Sequence, residues 1–515
     1  MFGSKRIAQR VVESPVSAEF IERARCGCAE DSARYSKLRL LVVSVLLFCA
    51  TVMPARASTI TVTNTNDSGT GSLRQALTAA SDGDTITFAV TGNIVLTSGG
   101  LPVNKNLAIV GPGAEQLSID GNQALLVLGV FPEKTAAISG LTIRNAQAGI
   151  GNEQGTLTVS NCAVRGNSEV GLFNDGMLTV RNCVVSGNSG GGILNGYGVL
   201  TVIYCDVSEN SYGIYNDHGS SSISNCMVSS NHDGGLFNNG VTGGPNDHVF
   251  GIAPLTIADS IINDNSGPGV DNNSGAVTIV NSTISGNSVG NTGGQSGGGV
   301  YTHGQKTPGN LTVINSTISG NFAFCDGGGI ASGFSVLTIV NSTISGNSVG
   351  DPDDGYGGGI AAGGGGVVPP ALTITNSTVS GNSAAICGGI CGGTVEIANT
   401  ILNANASGNI GGTVTSLGYN VCSDNGGGLL NGPGDQINTE PLLGPLRNHG
   451  GPTLTHVPLR GSPAIDAGDP SFAPPPDHDQ RGACFLRVFG PRIDVGSVET
   501  QLRPRCVTPA PRPGP

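Results

Sequence analysis

The stretch LTIVNSTISGNSVG at residues 337–350 differs by one residue from VTIVNSTISGNSVG at residues 277–290. Weaker copies of its first twelve residues begin at positions 157, 178, 200, 221, 255, 311, 372 and 395. The commonest step between copies is 21–23 residues, and the longer steps are 26–35 residues. Repeats with a period of this size predict a solenoid, in which each copy stacks on the previous one.

Apolar residues alternate within each copy, as in Leu337, Ile339 and then Ile344, and Asn, Ser and Gly interrupt the short runs. This is the periodicity of β-strands, not of helices. A third short strand, written GGIL, GIY, GLF or GGGI, completes each coil. The sequence therefore predicts an all-β parallel β-helix with three short strands per coil, stacked about 4.8 Å apart.

Stacking places each repeat position above its own copy. One such column begins with cysteines and continues with Ser and Thr, and we predict that it fills a tight corner of the core: Cys162, Cys183, Cys205, Cys226, Ser260, Ser282, Ser316, Ser342, Ser377 and Thr400. Disulfides within this column are the weaker alternative, because Ser and Thr cannot form them. Pairing of Cys387 with Cys391, and of Cys484 with Cys506, remains open.

The preceding column is asparagine in most copies and includes Asn161, Asn182, Asn225 and Asn281. Asparagine adopts turn conformations readily and can hydrogen-bond to the coils above and below. We therefore expect this column to be a buried ladder, which argues against glycosylation at its Asn-Ser-Thr sequences.

Five regions are predicted. Residues 37–57 begin with the cations Lys37 and Arg39, followed by an apolar run and by small residues at a cleavage position after Ala57, which is typical of a secretory signal. The regions are a signal region at 1–57, an N-terminal capping module with the first coils at 58–140, β-helix repeats at 141–407, a C-terminal domain at 408–500 and a Pro-rich tail at 501–515. A membrane anchor is less favoured, since the apolar run is shorter than the roughly 20 residues of a spanning helix.

Charge argues against nucleic acid and polyanionic sugars as partners. Of the chain's 24 Lys and Arg and 36 Asp and Glu, residues 1–57 contain nine and five, so the predicted exported chain is strongly acidic. Lys306 is the only Lys or Arg in the sequence between Arg181 and Arg447. Repulsion of polyanions follows from this balance.

These features resemble the right-handed parallel β-helix superfamily, which includes pectate lyases and many bacterial surface proteins. Residues 60–88, containing GSLRQA, resemble the CSLREA module, with Gly71 in place of its cysteine. The strings LGYN, EPLLGPLRNHGGPTLTHVPLRGSPAIDAGDP, DQRGACFLR and RIDVGSVE in residues 408–499 resemble the choice-of-anchor Q domain. The resemblance implies a bacterial exported protein, and it makes a catalytic role for His449 in RNHGG unfavoured.

Insertions lengthen only the two turns that flank the GGI strand, at 241–254, 289–297, 302–310, 349–357 and 363–371. Insertions on one face of a solenoid commonly build its binding side. The residue after each inward-pointing one on this strand is predicted to face out, which gives a row containing several aromatics: Gly151, Phe173, Leu194, Tyr215, Phe237, Asp271, Tyr301, Ala331 and Ala361. Of these we predict Phe173, Leu194, Tyr215, Phe237 and Tyr301 as ligand-binding, because stacked aromatics suit sugar rings or an apolar partner. Cover by the protein's own loops is the alternative.

Polar side chains beside this row are candidates for catalysis. They are Asp217, His218, His232, Asp233 and Asp271, and a carboxylate pair among them could hydrolyse a glycoside. The sequence DPDDGYGG, with Asp351, Asp353 and Asp354, and the separate Asp326 could bind calcium through oxygen ligands. The alternative for both groups is that these residues simply form solvated turns. The sequence therefore requires no cofactor.

Two functions remain open at this point. The favoured one is a secreted or cell-surface, adhesin-like protein without catalytic activity that binds glycans or proteins. The alternative is a polysaccharide-active enzyme. An inverting hydrolase needs only two carboxylates, whereas a pectate-type lyase needs a basic residue that the cation-free coils do not evidently supply. Fold alone does not choose between them.

Overall fold

The computed structural model describes residues 57–240, 253–291, 296–304, 308–363 and 371–501. These belong to one unit, Ala57–Pro515. The predicted signal segment up to residue 56 and the tail from residue 502 lie outside the described residues, as do parts of four of the five insertions.

In the described residues, 43 strands, numbered along the chain, form parallel ladders. Ladder I contains the GGI-type strands: β4 Leu101–Val103, β7 Leu126–Val130, β10 Ala148–Asn152, β13 Val170–Asn174, β16 Gly191–Asn195, β19 Tyr212–Asp217, β22 Gly234–Asn239, β25 Val270–Asn273, β29 Val300–His303, β33 Ile330–Gly333 and β37 Ile360–Ala362. Ladder II contains the LTV-type strands: β1 Thr59–Val62, β2 Thr85–Phe88, β5 Leu107–Val110, β8 Thr135–Ser139, β11 Thr156–Ser160, β14 Met177–Arg181, β17 Val199–Ile203, β20 Ser220–Ser224, β23 Pro254–Ala258, β26 Ala276–Val280, β30 Gly309–Ile314, β34 Ser335–Val340 and β38 Ala371–Thr375. Two long strands then join ladders I and II, β40 Ile390–Ala398 and β42 Ile410–Gly418.

Ladder III contains the TIS-type strands, and a short fourth ladder adds to the predicted three. Ladder III is β3 Gly92–Val95, β6 Leu117–Asp120, β9 Thr142–Arg144, β12 Ala163–Arg165, β15 Val184–Ser186, β18 Asp206–Ser208, β21 Met227–Ser229, β24 Ile261–Asn263, β27 Thr283–Ser285, β31 Thr317–Ser319, β35 Thr343–Ser345, β39 Thr378–Ser380, β41 Ile401–Asn403 and β43 Val421–Cys422. Ladder IV is β28 Ser288–Val289, β32 Phe322–Ala323 and β36 Ser348–Val349. The predicted all-β parallel β-helix is confirmed.

Equivalent residues of the repeat pair in register from coil to coil as far as β40, and this explains why the sequence repeats. Leu337 pairs with Leu311 before it and Leu372 after it, so identical side chains stack in files. Ile339 and Ile344 are fully buried. Because the core is narrow, its apolar side chains are buried mainly by the coils before and after them along the β-helix.

The column of cysteines and serines lies in the core as predicted. The backbone N–H of Cys162 donates to Sγ of Cys183 at 3.4 Å, and that of Cys226 donates to Oγ of Ser260 at 3.1 Å. Cysteine and serine are interchangeable here because each offers an acceptor to the preceding coil and a donor to its own turn. The four cysteines of the column, Cys162, Cys183, Cys205 and Cys226, are free thiols.

The asparagine column of the turn is the predicted buried ladder only in the last coils, where Asn341, Asn376 and Asn399 are buried and Nδ2 of Asn341 donates to Oδ1 of Asn315 at 3.3 Å. Its members adopt left-handed backbone, with φ of 52° at Asn161 and 51° at Asn182, but these two and Asn225 are exposed. A ladder that is buried in every repeat is formed by the asparagine of the GNS sequence and its equivalents: Asn167, Asn188, Asn210, Asn231, Asn265, Asn287, Asn321, Asn347, Asn382 and Asn405. A second buried ladder runs along ladder I through Asn152, Asn174, Asn195, Asn216, Asn238 and Asn272.

A short helix, α1 (Leu73–Ala79), follows the first strand of ladder II. The Ser72 side chain accepts from the N–H of Gln75, which satisfies one of the unpaired donors at its start. Leu73, Ala76 and Leu77 are buried. The other described helical segment is the single 3₁₀ turn Gly426–Gly428, and neither is long or apolar enough to cross a membrane.

The C-terminal segment, residues 440–499, packs irregular chain over ladder III in the last coils. Gln480 is fully buried and donates from Nε2 to Oγ1 of Thr317 at 2.9 Å, while its Oε1 accepts from Thr343 at 2.6 Å. Ser345 contacts Nε2 of His456 at 2.9 Å. Thr317, Thr343 and Thr378 are thereby buried, whereas Val184, Met227 and Ile261 stay exposed in the same column.

The two open cysteine questions have different outcomes. Cys387 and Cys391 are free thiols. Cys484 is disulfide-bonded. Its candidate partner, Cys506, lies outside the described residues.

A candidate ligand-binding face on ladder I

The predicted outward row is one continuous column of ladder I. Gly151 pairs with Phe173, and the register continues through Leu194, Tyr215, Phe237, Asp271, Tyr301, Ala331 and Ala361. Glycine and asparagine at the turns leave room for the coil to bend, and alternation then turns these side chains away from Ile193 and its buried equivalents. The five predicted ligand-binding residues are half-buried, so they are reachable from solvent.

Aromatic rings cluster where this column is widest. The rings of Tyr215 and Phe237 stack with centroids 4.7 Å apart, and Tyr212 meets both edge-on, at 6.0 and 6.2 Å. We call Tyr212, Tyr215 and Phe237 the aromatic cluster. Burial raises the pKa of the Tyr212 and Tyr215 phenols, so both hydroxyls are protonated donors at neutral pH.

Tyr212 was missed by sequence reasoning. Strict alternation from the buried Ile214 would point Tyr212 into the core. Gly213 instead occupies an inward position, where an added Cβ would lie 2.7 Å from a methyl group of Val228. Because Gly213 and Ile214 both point inward, the alternation shifts by one residue and Tyr212 points outward. The glycine that precedes the apolar residue in several coils was the available signal.

Beyond Tyr301, the side chains of the outward column are covered and no longer face solvent. Ala331 and Ala361 are 3% and 2% exposed, so the prediction that they face solvent is wrong. The turns before their strands fold back over them: a Cβ added at Gly327 would lie 2.6 Å from Cβ of Ala331. The reachable face therefore runs from Phe173 to Tyr301.

Most of the predicted catalytic residues lie around the aromatic cluster, in separate pairs. Asp271 contacts Nε2 of His303 at 3.1 Å, and the His303 ring stacks on Tyr301 with centroids 4.4 Å apart. Asp217 contacts Nδ1 of its neighbour His218 at 2.9 Å.

The remaining pair lies at the turn before β22. His232 and Asp233 are exposed there, and the Asp233 carboxylate accepts from the Ser211 hydroxyl. Asp233 and Asp271 both add to the raised pKa of Tyr212, which places the two carboxylates near the cluster.

The residues considered for calcium form a different group. Oδ1 of Asp351 accepts the N–H groups of Asp353 and Asp354 at 3.0 and 3.3 Å, as in an ordinary turn. Asp326 accepts from the N–H of Tyr356 at 3.4 Å, and burial raises the pKa of its carboxyl. Within the described ranges, no group of three or more His, Cys, Asp or Glu is arranged to hold a metal ion.

His449 is held by its neighbours in the C-terminal segment. Its Nε2 accepts from Arg447 at 2.9 Å and its Nδ1 contacts the Thr455 hydroxyl at 3.1 Å. Both ring nitrogens are engaged, which fits a structural role.

An open groove of about 610 Å³ lies on ladder III, lined by Asp120, Arg144, Asn145, Arg165, Gly166, Ser186, Gly187 and Glu209. Its charges partly cancel, since Nε of Arg144 contacts Asp120 at 3.3 Å. It contains no aromatic side chain, and we therefore place the candidate site on ladder I.

A family model described as a right-handed β-helix region matches residues 152–318. The fold of the chain is a right-handed parallel β-helix. No curated protein matches it in sequence. The matched residues include the aromatic cluster, so the candidate site lies on the coils that the family model covers.

Solved structures with a similar fold include three carbohydrate-active proteins. Pectate lyase Pel9A is 14% identical, with a TM-score of 0.33 over 86% of this chain and 96% of that one. The A-module of Azotobacter vinelandii mannuronan C-5 epimerase AlgE6 is 15% identical, with a TM-score of 0.43 over 70% and 91%. The catalytic unit of a GH87 α-1,3-glucanase from Streptomyces thermodiastaticus is 14% identical, with a TM-score of 0.35 over 72% and 69%. The likeness is confined to the coiled fold, and those activities are not transferred to this chain.

Proposed function

We propose that this β-helix binds neutral glycans through the aromatic cluster on ladder I. The observation that carries the proposal is the half-exposed stack of Tyr215 on Phe237, with Tyr212 at its edge. A flat stack of rings matches the apolar face of a sugar, and the protonated phenols supply donors to its hydroxyls.

Charge favours neutral sugars over acidic ones. Asp217, Asp233 and Asp271 surround the cluster, and Lys306 is the only Lys or Arg of the sequence from residue 182 to residue 446. A uronate or sulfate would meet carboxylates without a guanidinium or ammonium partner. A protein ligand with an apolar, uncharged patch is the alternative occupant.

The test is a binding measurement on purified full chain with neutral and acidic polysaccharides. We expect binding to mannan, xylan or β-glucan but not to alginate or polygalacturonate. Tyr215→Ala and Phe237→Ala should each weaken binding about three- to tenfold, since an aromatic contact contributes roughly 0.5–1.5 kcal/mol beyond area burial. Tyr204→Ala is the matched control, because Tyr204 is an exposed tyrosine on the turn after ladder II. Equal loss in the control, or none at the cluster, contradicts the proposal.

A glycoside hydrolase is the second candidate, favoured by one observation. After burial, Asp271 and Asp326 both raise the pKa of Tyr301, so both carboxylates lie near its phenol. Burial raises the pKa of Asp326, as a general acid requires, while Asp271 contacts His303. Release of reducing ends that Asp326→Asn abolishes would favour this candidate over simple binding.

The wider setting is also part of the proposal. We infer export through the segment 37–57 and an adhesin-like role at a bacterial surface, on the residue patterns that resemble CSLREA and choice-of-anchor Q modules. Cell fractionation and the N-terminal sequence of the mature protein test this, and an uncleaved chain in the cytoplasm would contradict it. Calcium binding by Asp326, Asp351, Asp353 and Asp354 stays a prediction.

A further inference from the structure

Cys387 stands at a position that the neighbouring coils reserve for glycine. The residues before the ladder I strands in the three preceding coils are Gly297, Gly327 and Gly357, with φ of 74°, 61° and 68°. Cys387 has φ of 51°. A side chain in this left-handed region is disfavoured by contact between its Cβ and the following carbonyl. A residue kept in such a conformation suggests a role for its side chain.

The same geometry directs the Cys387 side chain at Cys391. A Cβ added at Gly327 would lie 2.6 Å from Cβ of Ala331, four residues on, and one added at Gly357 would lie 2.6 Å from Cα of Ala361. Cys391 is the residue four after Cys387, and it pairs in register with Ala361. The thiol of Cys387 donates to the carbonyl of Ile390 at 2.9 Å.

The two thiols are therefore neighbours within one turn. A Cβ added at Gly411, the residue that pairs in register with Cys391, would lie 3.5 Å from Sγ of Cys387, and both cysteines are buried. Neither is part of an existing disulfide. A disulfide requires Cβ atoms about 3.5–4.5 Å apart. The equivalent positions of a preceding coil come even closer, at 2.6 Å between an added Cβ at Gly327 and Cβ of Ala331, so this turn brings the two side chains within reach of that separation.

We propose that Cys387 and Cys391 form a redox-active pair, which closes to a disulfide on reaction with a small-molecule disulfide such as oxidised glutathione. This is an oxidation site, separate from the proposed glycan-binding cluster. It lies where β40 shows a register shift against β42, between Cys391 and Thr394. A disulfide here would fix the start of β40, the long strand that joins ladders I and II.

The reaction proceeds in two exchanges. The neighbouring Cys387 thiol lowers the pKa of the Cys391 thiol, so Cys391 is the attacking thiolate. It attacks one sulfur of the added disulfide and releases one small thiol. Cys387 then loses its proton and attacks Cys391 of the mixed disulfide, releasing the second thiol. The protein gives up two electrons and two protons, which the added disulfide gains as two thiols.

The other buried cysteines provide an internal comparison. Cys162, Cys183, Cys205 and Cys226 are stacked one coil apart, about 4.8 Å, which is wider than the Cβ separation of a disulfide. Their sulfurs take part in the backbone hydrogen bonds of the column, as Ser260 does. Proximity of two thiols is therefore not enough to form a disulfide. The left-handed turn at Cys387 is what distinguishes the pair Cys387–Cys391 from the stacked column.

The experiment uses the full chain with Cys325→Ser, which removes the half-buried thiol of Cys325. The folded, reduced protein is treated with oxidised glutathione, then digested without reduction and analysed by mass spectrometry. We expect the peptide that contains residues 387–391 to lose two hydrogens. Peptides of the stacked column should keep free thiols.

Cys387→Gly is the matched variant, because it restores the glycine of the neighbouring coils. It should fold, as shown by circular dichroism, and should stop at a glutathione adduct on Cys391. Two results would overturn the proposal. One is a 387–391 peptide that keeps both thiols under conditions that glutathionylate Cys325 in the unsubstituted chain. The other is a stable glutathione adduct when Cys387 is present.

Discussion

Nδ2 of Asn188 donates to Oδ1 of Asn210 in the next coil at 2.9 Å. The same Nδ2 donates to the carbonyl of Val164 at 3.2 Å, and Oδ1 of Asn188 accepts from the side chain of Asn167 at 2.8 Å. Each amide in the file is thus donor to one neighbour and acceptor from the other, which satisfies polar groups that no water reaches. The file holds the GNS turn at a fixed height in every coil.

Asn188→Ala should lower the free energy of unfolding by about 2–4 kcal/mol. The substitution leaves Asn167 and the carbonyl of Val164 without their buried partner, and each such loss costs about 1–3 kcal/mol. The control is Asn182→Gly in the same repeat, which keeps the left-handed turn at an exposed site and should change stability by less than about 0.5 kcal/mol. Urea unfolding measures both. Similar losses in the two variants would contradict the assignment of the buried ladder.

Cys226→Ser should be tolerated, within about 1 kcal/mol. Serine would accept the N–H of Cys205 and donate to its own turn, as Ser260 does when it accepts from Cys226 at 3.1 Å and donates to Ala258 at 2.7 Å. Cys226→Val removes the acceptor and should cost about 1–3 kcal/mol more. Thermal and urea unfolding provide the comparison. A valine variant as stable as the serine variant would show that the column is merely apolar.

Glu499 should make the C-terminal segment less stable as the pH rises. Burial, and then the neighbouring Asp494 carboxylate, raise the pKa of Glu499 from 4.5 to about 7, although Arg487 opposes this. Because the folded state holds the proton more tightly, its stabilising contribution is complete below about pH 4.5 and is lost by about pH 7. Each pKa unit corresponds to roughly 1.4 kcal/mol, so the loss is at most about 3 kcal/mol.

Glu499→Gln removes this titration, so the stability of the variant should change less between pH 4 and pH 8 than that of the unsubstituted chain. Urea midpoints at several pH values measure the difference. Parallel pH profiles for the two proteins would exclude Glu499 as the titrating group.

Gln480→Ala should loosen the C-terminal segment from the β-helix. Gln480 bonds to Thr317 and Thr343 of ladder III and to Thr453 of its own segment, at 2.6–3.0 Å. Losing these buried bonds should increase hydrogen exchange across residues 440–499 at least about tenfold, which corresponds to roughly 1.4 kcal/mol. Gln116→Ala, at an exposed glutamine, is the control. Unchanged exchange in Gln480→Ala would show that apolar packing alone holds the segment.

Local pattern was enough to predict the coils, because a repeat with period-two alternation has few ways to bury its apolar side chains. The register Gly151–Phe173–Leu194–Tyr215 followed from counting residues between copies. The same counting failed at Tyr212, where Gly213 turns inward, and at Ala331, where a turn folds back. Both failures come from backbone geometry at glycines, which alternation does not describe.

The sequence by itself determined the parallel β-helix, the core column of Cys162 and its successors, and the outward row of ladder I. Tertiary structure alone decided where each asparagine column is buried. The column of Asn188 is buried in every repeat, whereas the column of Asn182 is buried only at Asn341, Asn376 and Asn399, in the coils that the C-terminal segment contacts. Tertiary structure also decided that Cys387 faces Cys391, because a left-handed turn brings side chains four residues apart together. The sequence repeat specifies which residues of successive coils stack on one another, whereas the direction of each side chain depends on how the turn bends.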